Sequence, residues 1–349
     1  MRDDDTVRIL VLGGTAFVGR AVVDAALRRG WEVTTFNRGH TGPDPAGVRV
    51  VRGDRTLTGD VHRLVSAGSW DAVIDSSIYV PRNALLVARL LAEVVDRYVC
   101  VSTVSVYTDW PLHPLTEASE LLRCPPDAGP DFGEDIENGP TRYGYQKAGC
   151  ETAIVAALGA ERTTILRPGV ILGPHEYVGR LPWWLRRIAA GGTVVAPGPS
   201  HRGIQPVDVR DLAEFTLDCV RAGRGGAFNI AAPIDRETFG GLLAACKDAT
   251  RSDAEIVWAD DEHLLRAGVR QWSELPLWRA SAGVWQVDSA RAQSLGLKCR
   301  PLRETVGDTW RWLSTSGDGE NHARSDGIGL TREHERALLT LLGHGIRHE

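Results

Sequence analysis

The sequence predicts an α/β protein in which a doubly wound parallel sheet is joined to a smaller C-terminal lobe. Three observations predict this fold class. Short apolar runs alternate with segments of helical apolar spacing from residue 7 to about residue 230. A glycine-rich turn follows the first apolar run directly, and polar residues follow several later runs. Strands and helices that alternate in this way form parallel sheets with helices on both faces.

Each element follows from the spacing of apolar residues and from the breaks between the periodic segments. Strands are predicted at residues 7–12, 33–36, 48–51, 70–76, 97–101, 163–167, 204–209 and 227–230. Helices are predicted at residues 21–29, 61–67, 83–95, 143–158, 212–221 and 330–342, the last capped by Thr331. Residues 108–142 are rich in Pro, Gly and acidic residues and form a long connection that is expected to fold over the site.

Composition limits the class of protein. Hydrophobic residues make up 43% of the chain and charged residues 24%, which is ordinary for a globular protein. The net charge of −5 gives no general attraction to nucleic acid or to anionic membranes. No segment approaches the ~20 apolar residues of a membrane span, and the first residues lead into a strand rather than a signal peptide. The six cysteines are scattered without a C-x-x-C spacing, so neither a metal site nor a disulfide framework is predicted, and a cytoplasmic location is expected.

The turn after the first strand has the spacing of a dinucleotide-binding fingerprint. Glycines let the backbone approach a pyrophosphate, and the unpaired N–H groups at the start of the next helix face it. Ala16 stands where a middle glycine would be, and its methyl group narrows that approach without preventing it. The predicted cofactor-binding residues of this turn are Gly13, Thr15, Ala16, Phe17, Val18 and Gly19.

Residues at the ends of later strands extend the predicted cofactor site. Asn37 and Arg38 follow the second strand, where NAD enzymes usually carry Asp or Glu for the ribose 2′-hydroxyl. An amide followed by a guanidinium suits a 2′-phosphate, so NADP(H) is favoured over NAD(H). The alternative role for Arg38 is a solvated loop charge. Asp54 can hydrogen-bond the adenine edge, and Ser76 ends the fourth strand at the same edge of the sheet.

Two lobes are predicted from these positions. Residues 1–172 and about 204–232 form a dinucleotide-binding Rossmann domain. Residues from about 173 to 203 and from 233 to 312 form a substrate lobe, and residues 313–349 form a polar linker and a C-terminal helix.

A second motif is Tyr143-Gly144-Tyr145-Gln146-Lys147. Its tyrosine and lysine are four residues apart and share one face of a helix. An ammonium held near a phenol favours the phenolate, which lowers a tyrosine pKa that is otherwise about 10 and allows proton exchange with an alcohol oxygen. A packed aromatic beside a surface lysine is the alternative. The chain has only three lysines, Lys147, Lys247 and Lys298, so a chance pair at this spacing is uncommon.

Together these segments resemble the extended short-chain dehydrogenase/reductase superfamily, in its NAD-dependent epimerase/dehydratase branch. The resemblance covers about residues 7–230 and rests on four segments in order: 13–19, 102–107 (Ser-Thr-Val-Ser-Val-Tyr), 143–147 and 166–174. It implies that Tyr143 is the acid/base, that Lys147 binds the nicotinamide ribose, and that Thr103 holds the substrate oxygen. The same resemblance places Pro168 beside the cofactor. Ser105 is the alternative holder of the substrate oxygen.

The substrate is less defined. The acids that sugar-nucleotide dehydratases carry after the threonine are replaced by Val104-Ser105, so dehydration is not expected. The predicted pocket residues are Arg180, Trp183, Trp184 and His201. Filling of the core is the more common use of tryptophan and is the alternative for Trp183 and Trp184.

Three functions are consistent with the sequence. The first is an NAD(P)-dependent oxidoreductase acting on a carbonyl or alcohol of a small polar substrate, sugar-like substrates included. The second is an epimerase with a retained cofactor that acts on a sugar or sugar nucleotide. The third is a non-catalytic, cofactor-sensing or RNA-binding protein, which the acidic net charge and the intact Thr-Tyr-Lys set disfavour. A small-molecule partner is predicted, without nucleic acid or membrane, in a monomer or a homodimer.

Overall fold

The computed structural model describes residues 6–315 and 327–343. Its strands are β1 (Arg8–Leu12), β2 (Glu32–Asn37), β3 (Arg49–Arg52), β4 (Trp70–Asp75), β5 (Val95–Val101), β6 (Thr163–Pro168), β7 (Ile171–Leu172), β8 (Thr193–Pro197), β9 (Gly203–Ile204), β10 (Val207–Asp208), β11 (Gly226–Ile230), β12 (Glu237–Thr238), β13 (Glu255–Ala259), β14 (Gln271–Trp272) and β15 (Leu275–Pro276). Its helices are α1 (Phe17–Arg28), α2 (Thr58–Ser66), α3 (Pro81–Leu91), α4 (Arg142–Leu158), α5 (Arg180–Ala189), α6 (Val209–Arg221), α7 (Phe239–Thr250), α8 (Asp261–Arg266), α9 (Ala290–Ser294), α10 (Leu302–Thr315) and α11 (Arg332–Leu341).

The chain divides into two compact units. Of the described residues, the first contains 6–171, 209–233 and 282–299, and the second contains 172–208, 234–281, 300–315 and 327–343. Within the described ranges, no helix is both long enough and apolar enough to cross a membrane. The assignment of cofactor binding to one lobe and substrate binding to the other stays a prediction.

The first unit is built on a seven-stranded sheet with the order β11-β6-β5-β4-β1-β2-β3, and every neighbouring pair in it is parallel. The chain runs outward from β1 to β3 and then returns to β4 on the other side of β1. The strand order therefore reverses between β1 and β4, and ligands of such sheets bind beyond the carboxyl ends of the strands at this point. This confirms the predicted α/β fold with a parallel Rossmann sheet.

Apolar side chains fill both faces of this sheet. Leu10 and Leu12 pack with residues of α2, α3 and α4 in one buried cluster. Ile9 and Val11 are also fully buried, and alternation along β1 directs them to the opposite face. There α1 packs against α6. The near-continuous apolar runs of the sequence thus correspond to strands covered on both sides.

Most predicted elements are present, with shifted boundaries. Helix α1 begins at Phe17 rather than at residue 21, because the glycine turn ends directly in the helix. The strand predicted at residues 204–209 is wrong: two strands of two residues, β9 and β10, are separated by Gln205-Pro206. Pro206 has no N–H to donate to a ladder.

The predicted C-terminal helix is confirmed as α11, and the Thr331 side chain accepts a hydrogen bond from the His334 N–H. Most of the predicted polar linker, residues 316–326, lies outside the described residues.

The long connection between β5 and α4 is hydrogen-bonded to α3 and to α4. The Arg82 N–H donates to the Ala128 carbonyl at 3.2 Å, which ties the connection to the start of α3. The Gln146 Nε2 group of α4 donates to the carbonyls of Gly129 at 2.9 Å and Phe132 at 2.7 Å. These bonds hold residues 128–133 against α3 and α4.

The second unit has smaller sheets. Strand β8 pairs with β13 in parallel, and β9 pairs with β12 in the antiparallel sense. Helix α5 packs against α7 and α10. A buried ion pair joins α5 to α11, because Arg187 Nε lies 2.8 Å from a carboxylate oxygen of Glu335.

A buried polar network links α4 to the sheet of the first unit. Arg167 of β6 donates from Nε and Nη2 to the Glu151 carboxylate of α4, the shortest bond being 2.7 Å. Its Nη1 group donates to the Tyr107 hydroxyl at 3.0 Å, and that hydroxyl donates to Asn229 Oδ1 at 2.7 Å. The network fixes the orientation of α4 relative to β6 and to the segment that follows β5.

We expect Glu151→Leu to lower the free energy of unfolding by about 3–5 kcal/mol, because it leaves the Arg167 guanidinium buried without its carboxylate. The measurement is urea-induced unfolding. The control is Glu120→Leu, which removes the partner of the exposed Arg123 and should change stability by less than about 1 kcal/mol. The double variant Glu151→Leu/Arg167→Met should recover much of the loss. An equal effect of Glu151→Leu and Glu120→Leu would contradict the assigned importance of the network.

Candidate active site

The glycine turn between β1 and α1 has a backbone conformation that lets it pack closely on β2. Gly13 and Gly14 have φ values of +107° and +97°, which residues with a Cβ rarely adopt. A Cβ on Gly14 would lie 2.9 Å from Thr35 Cγ2, so the turn is packed directly on β2. The chain therefore has two residues without a side chain directly at the carboxyl end of β1.

Helix α1 begins without a side-chain cap from its own N-cap residue. Ala16 holds that position with extended backbone, and its methyl group cannot accept a hydrogen bond. By contrast, side chains cap four other helices: α4 by Thr141, α7 by Thr238, α8 by Asp260 and α11 by Thr331. Phe17, the first residue of α1, has a φ of +35°, a strained conformation for a residue with a side chain. Val18 follows it and is half-buried.

Hydroxyl groups surround this turn. Thr15 Oγ1 lies 2.6 Å from Thr41 Oγ1, which links the turn to the segment after β2. Ser76 Oγ would be 3.4 Å from a Cβ on Gly13 and 2.8 Å from one on Gly19. The end of β4 thus lies against both ends of the fingerprint.

The carboxyl end of β2 carries charges of both signs. Asn37 Oδ1 accepts from the Gly39 N–H at 2.8 Å and from Arg52. Arg52 is also paired with Asp44. Arg38 is 62% exposed, and its Nη1 atom lies 3.9 Å from Asp54 Oδ2. Arg38 is thus the guanidinium of this group that is most open to solvent.

Asp54 holds the segment after β3. Its Oδ1 atom accepts from the Thr56 N–H at 2.8 Å and from the Thr56 hydroxyl at 2.7 Å. These hydrogen bonds lower the pKa of Asp54 against the opposing effect of burial. Its role toward an adenine ring stays a prediction.

Arg55 and Asp75 form a buried pair that the sequence did not reveal. Arg55 Nη2 lies 2.6 Å from Asp75 Oδ2, and the Tyr98 hydroxyl donates to the same oxygen at 2.6 Å. Burial is the largest influence and acts to raise the pKa of Asp75, but the charge and hydrogen bonds of Arg55 outweigh it, so this pKa is lowered. The signal available in the sequence was a lone carboxylate at the end of an apolar strand. Arg55 also donates to the Ser77 carbonyl, so the pair fixes the segment that follows β4.

Helix α4 approaches the end of β5 very closely. Thr141 caps the helix by accepting from the Gly144 N–H. A Cβ on Gly144 would overlap the Ser105 carbonyl oxygen and lie 3.0 Å from Leu122 Cδ1. Only a glycine at this position allows the backbone of α4 to lie against the turn that contains Thr103 and Ser105.

Thr103 and Ser105 form that turn. Thr103 Oγ1 accepts from the Ser105 N–H at 3.2 Å and donates to Ser105 Oγ at 3.3 Å. Thr103 is largely buried, whereas Ser105 is half-buried. Pro168 ends the neighbouring strand β6 and is buried. The structure therefore brings the end of β6 alongside the segment with the two hydroxyls.

Lys147 is the buried cation of the site. Its side chain is 3% exposed, and Nζ donates to the Val101 carbonyl of β5 at 2.8 Å. Nζ lies 5.8 Å from the ring centroid of Tyr143, which is 42% exposed. Burial is the largest influence on Lys147 and acts to lower its pKa, but attraction to Tyr143 and Tyr79 outweighs it, and the pKa is raised.

The structure thus places the predicted residues of the first unit at one edge of its sheet. The ends of β1, β2, β4, β5 and β6 carry Gly13, Asn37, Ser76, Thr103 and Pro168 respectively. Sequence reasoning missed Tyr79, whose ring lies 5.0 Å from Lys147 Nζ. Its signal was an aromatic residue between the fourth strand and the next helix.

The predicted pocket residues of the second unit have different environments. Trp184 is fully buried, donates from Nε1 to the Pro276 carbonyl at 2.9 Å and packs edge-on against Phe239. It therefore belongs to the interior of this unit, as the core alternative had it. Trp183 is half-buried and His201 is exposed.

Arg180 belongs to a cationic group at the start of α5. Its guanidinium and that of Arg279 lie 5.3 and 5.1 Å from the centroid of the Trp272 ring. Burial, reinforced by the charge of Arg180, lowers the pKa of Arg279 to about 10. Glu176 accepts from the Arg180 N–H at 2.9 Å.

A known protein family matches most of the first unit and residues 172–208 of the second. The family described as NAD dependent epimerase/dehydratase matches residues 9–231, which is more than half of the chain. The matched region begins in β1 and ends one residue beyond β11. It therefore contains all seven strands of the main sheet.

Two curated relatives match parts of the chain. The 2′-dehydrokanamycin reductase of Streptomyces kanamyceticus is 34% identical over 201 residues, which are 55% of this chain and 52% of that protein. The chloroplast stem-loop binding protein of 41 kDa b of Arabidopsis thaliana is 26% identical over 260 residues, which are 69% of this chain and 63% of that protein. The chain thus spans less than two thirds of the length of either relative.

A solved structure has the same fold. The Bordetella bronchiseptica enzyme WbmG, in complex with NAD and UDP, matches with a TM-score of 0.68 and 17% identity, over 91% of this chain and 98% of that chain. At this identity the likeness concerns the fold.

We expect Gly144→Ala to lower the free energy of unfolding by about 1–3 kcal/mol, because the added methyl group overlaps the Ser105 carbonyl. The measurement is urea-induced unfolding. The control is Gly307→Ala in α10, where a Cβ would meet no atom within 4 Å. Alanine favours helix over glycine, so the control should gain up to about 1 kcal/mol. Equal stability changes in the two variants would contradict the close approach.

Proposed function

The chain belongs to the NAD dependent epimerase/dehydratase family, and from that premise we propose that it is an NAD(P)-dependent oxidoreductase. Its substrate would be a small polar molecule with a carbonyl or alcohol group. One observation carries the proposal: Lys147 is buried between the end of β5 and the ring of an accessible Tyr143, on a helix that touches the Thr103 turn. This is the set of groups that a proton transfer to a carbonyl oxygen needs.

The residues of the glycine turn fit a dinucleotide. Gly13 and Gly14 carry no side chain directly after β1, and a Cβ on Gly19 would fill the space beside Gly14 and Ser76. The N-cap of α1 supplies no side-chain acceptor, so the positive end of the helix is suited to a phosphate. Gly13, Thr15, Ala16, Phe17, Val18, Gly19 and Ser76 would hold the pyrophosphate side, and Asn37, Arg38 and Asp54 the adenosine side.

The catalytic roles follow from charge and access. When bound, the nicotinamide ring would exchange a hydride with the substrate carbon. Tyr143 would give its phenolic proton to the substrate oxygen in reduction and take it back in oxidation. Lys147 would stabilise the negative charge left on that phenolic oxygen and, with Pro168 nearby, hold the nicotinamide ribose. Thr103 would donate a hydrogen bond to the reacting oxygen, with Ser105 as the alternative donor.

The substrate class is drawn from one relative and from the chemistry of the site. The relative from Streptomyces kanamyceticus is, by its name, a reductase of 2′-dehydrokanamycin. We therefore propose a polar, sugar-like substrate for this chain as well. Within the substrate lobe, Arg180, Trp183 and His201 stay candidates for binding it, whereas the buried Trp184 is not included.

An epimerase is the second candidate, because the matching family is named for that reaction. An epimerase would use the same Tyr143 and Lys147 twice, once in each direction, and would retain its cofactor. Cofactor that copurifies and shows no net turnover with substrate would favour this alternative.

The six free thiols are compatible with the cytoplasm, which we propose as the location.

We expect Tyr143→Phe to lower turnover by about 10²–10⁴-fold, because the proton donor is lost while the ring remains. Turnover is followed by NADPH absorbance with a panel of keto sugars. Tyr145→Phe is the control, because Tyr145 lies on the same helix against Phe132 and should keep near-normal activity. Unimpaired turnover in Tyr143→Phe, with cofactor binding intact, would exclude Tyr143 as the donor.

We propose that NADP(H) is preferred over NAD(H) because Arg38 is open to a 2′-phosphate. Arg38→Ala should weaken NADP⁺ binding by about 10–100-fold and leave NAD⁺ binding nearly unchanged, as expected for a charge-assisted hydrogen bond. The dissociation constants are measured by calorimetry. Arg63→Ala is the control, because Arg63 is similarly exposed (63%) on α2. Tighter binding of NAD⁺ than of NADP⁺ by the unmodified protein would overturn the preference.

A further inference from the structure

Tyr79, in the segment between β4 and α3, places its ring against the Lys147 ammonium of α4. The centroid of the Tyr79 ring lies 5.0 Å from Lys147 Nζ, closer than the 5.8 Å of Tyr143. The two rings are 6.5 Å apart and tilted by 42°. The ammonium therefore lies against the rings of two tyrosines that belong to different elements.

The segment with Tyr79 is fixed on both sides. Before it, Ser77 Oγ donates to the Leu12 carbonyl at 3.1 Å, and Ile78 is fully buried. After it, Pro81 begins α3 and packs so closely on α4 that a Cβ on Gly149 would lie 2.6 Å from Pro81 Cγ. The Tyr79 backbone is therefore held relative to both β1 and α4.

A buried ammonium needs compensation for the loss of water. Lys147 donates to one backbone carbonyl, that of Val101. The titratable groups that act most strongly on it are, in order, Tyr143 of α4, Tyr79, Cys100 of β5 and Cys150 of α4.

The two thiols carry no charge that could compensate the ammonium at neutral pH. Burial raises the pKa of Cys150 to about 12 and that of Cys100 well above its ordinary value. The carboxylates of Glu151 and Asp75, which act on Cys100 as Lys147 does, are each paired with an arginine. The faces of the two aromatic rings are then, beside the Val101 carbonyl, the neutral groups that attract the ammonium. Each ring carries negative charge density on its face, and the attraction is largest where water is excluded.

We propose that Tyr79 is a positioning residue. Its ring, rather than its hydroxyl, keeps the Lys147 amine protonated and directs it past Tyr143 toward the cofactor edge of the sheet. The ring's contact with Lys147 stands on geometry alone, whereas its value for turnover rests on the proposed oxidoreductase function. Tyr79 would thereby contribute to cofactor binding through Lys147.

The small number of lysines makes a direct test practical. With three lysines in the chain, lysine-selective ¹³C labelling gives three side-chain NMR signals, and Lys147→Arg assigns the one that belongs to Lys147. The titration of this signal is compared in the unmodified protein, Tyr79→Phe and Tyr79→Leu. The control is Tyr145→Leu, which removes a ring from the other side of α4, where it packs on Phe132.

We expect the titration midpoint of Lys147 to fall by about one pH unit in Tyr79→Leu, since loss of a desolvated cation–π contact corresponds to about a tenfold shift in the protonation equilibrium. It should stay unchanged in Tyr79→Phe and Tyr145→Leu. NADP⁺ dissociation constants should rise about tenfold in Tyr79→Leu and not in Tyr79→Phe.

Equal shifts in Tyr79→Phe and Tyr79→Leu would assign the effect to the hydroxyl and overturn the proposal, as would the absence of a shift in Tyr79→Leu. If Tyr79→Leu does not fold, Tyr79→Met supplies the comparison without a ring. A shifted Lys147 titration without a change in NADP⁺ binding would support the contact and count against the proposed cofactor role. This result separates failure of the function from failure of the inference.

Discussion

The hydrogen bond from Lys147 Nζ to the Val101 carbonyl is the interaction on which the arrangement of the site depends. It joins the first half of α4 to the last residue of β5, and it does so with a charge that is almost fully removed from water. A buried ammonium without such a partner would be strongly unfavourable, so the helix has little freedom to move away. The same bond therefore helps to hold α4, which carries Tyr143, against the turn with Thr103 and Ser105.

A second buried charge on α4 reinforces this placement. Glu151 lies four residues after Lys147, on the same side of the helix, and pairs with Arg167 of β6. Arg167 also donates a hydrogen bond to the Tyr107 hydroxyl, so the segment after β5 that begins near Thr103 is anchored again at Tyr107. Gly144 completes the fit, because a side chain there would separate the helix from the Ser105 carbonyl. Gly144, Lys147 and Glu151 follow one another at about one helical turn along α4. They lie against the Ser105 carbonyl, the end of β5 and Arg167 of β6 respectively.

Local patterns were sufficient to predict the sheet, the glycine turn and the Tyr143–Lys147 pair. Each depends on residues that are close in the chain: an apolar run, a run of glycines, or two side chains four apart on a helix. Tyr79 and the Arg55–Asp75 pair could not be predicted in this way, because their partners come from other elements. The strand predicted at 204–209 was wrong because Pro206, which has no N–H to donate, interrupts its apolar residues. Trp184 was a candidate pocket residue because it stands beside Trp183 in the sequence, but its indole N–H donates to the Pro276 carbonyl within the core.

The contrast in exposure between Tyr143 and Lys147 fits the different roles that we propose for them. A proton donor must reach a substrate, and the Tyr143 ring is 42% exposed. A cation that acts only through its field gains from burial, because the interaction of two charges grows about fourfold as the effective dielectric constant falls from about 80 to about 20. Burial alone would favour the neutral amine, so the charge must be retained by neighbours that do not themselves neutralise it. An unpaired carboxylate beside Lys147 would cancel its field at the phenol. Glu151 is paired with Arg167, whereas a carbonyl dipole and aromatic faces hold the ammonium and would leave its field acting on Tyr143.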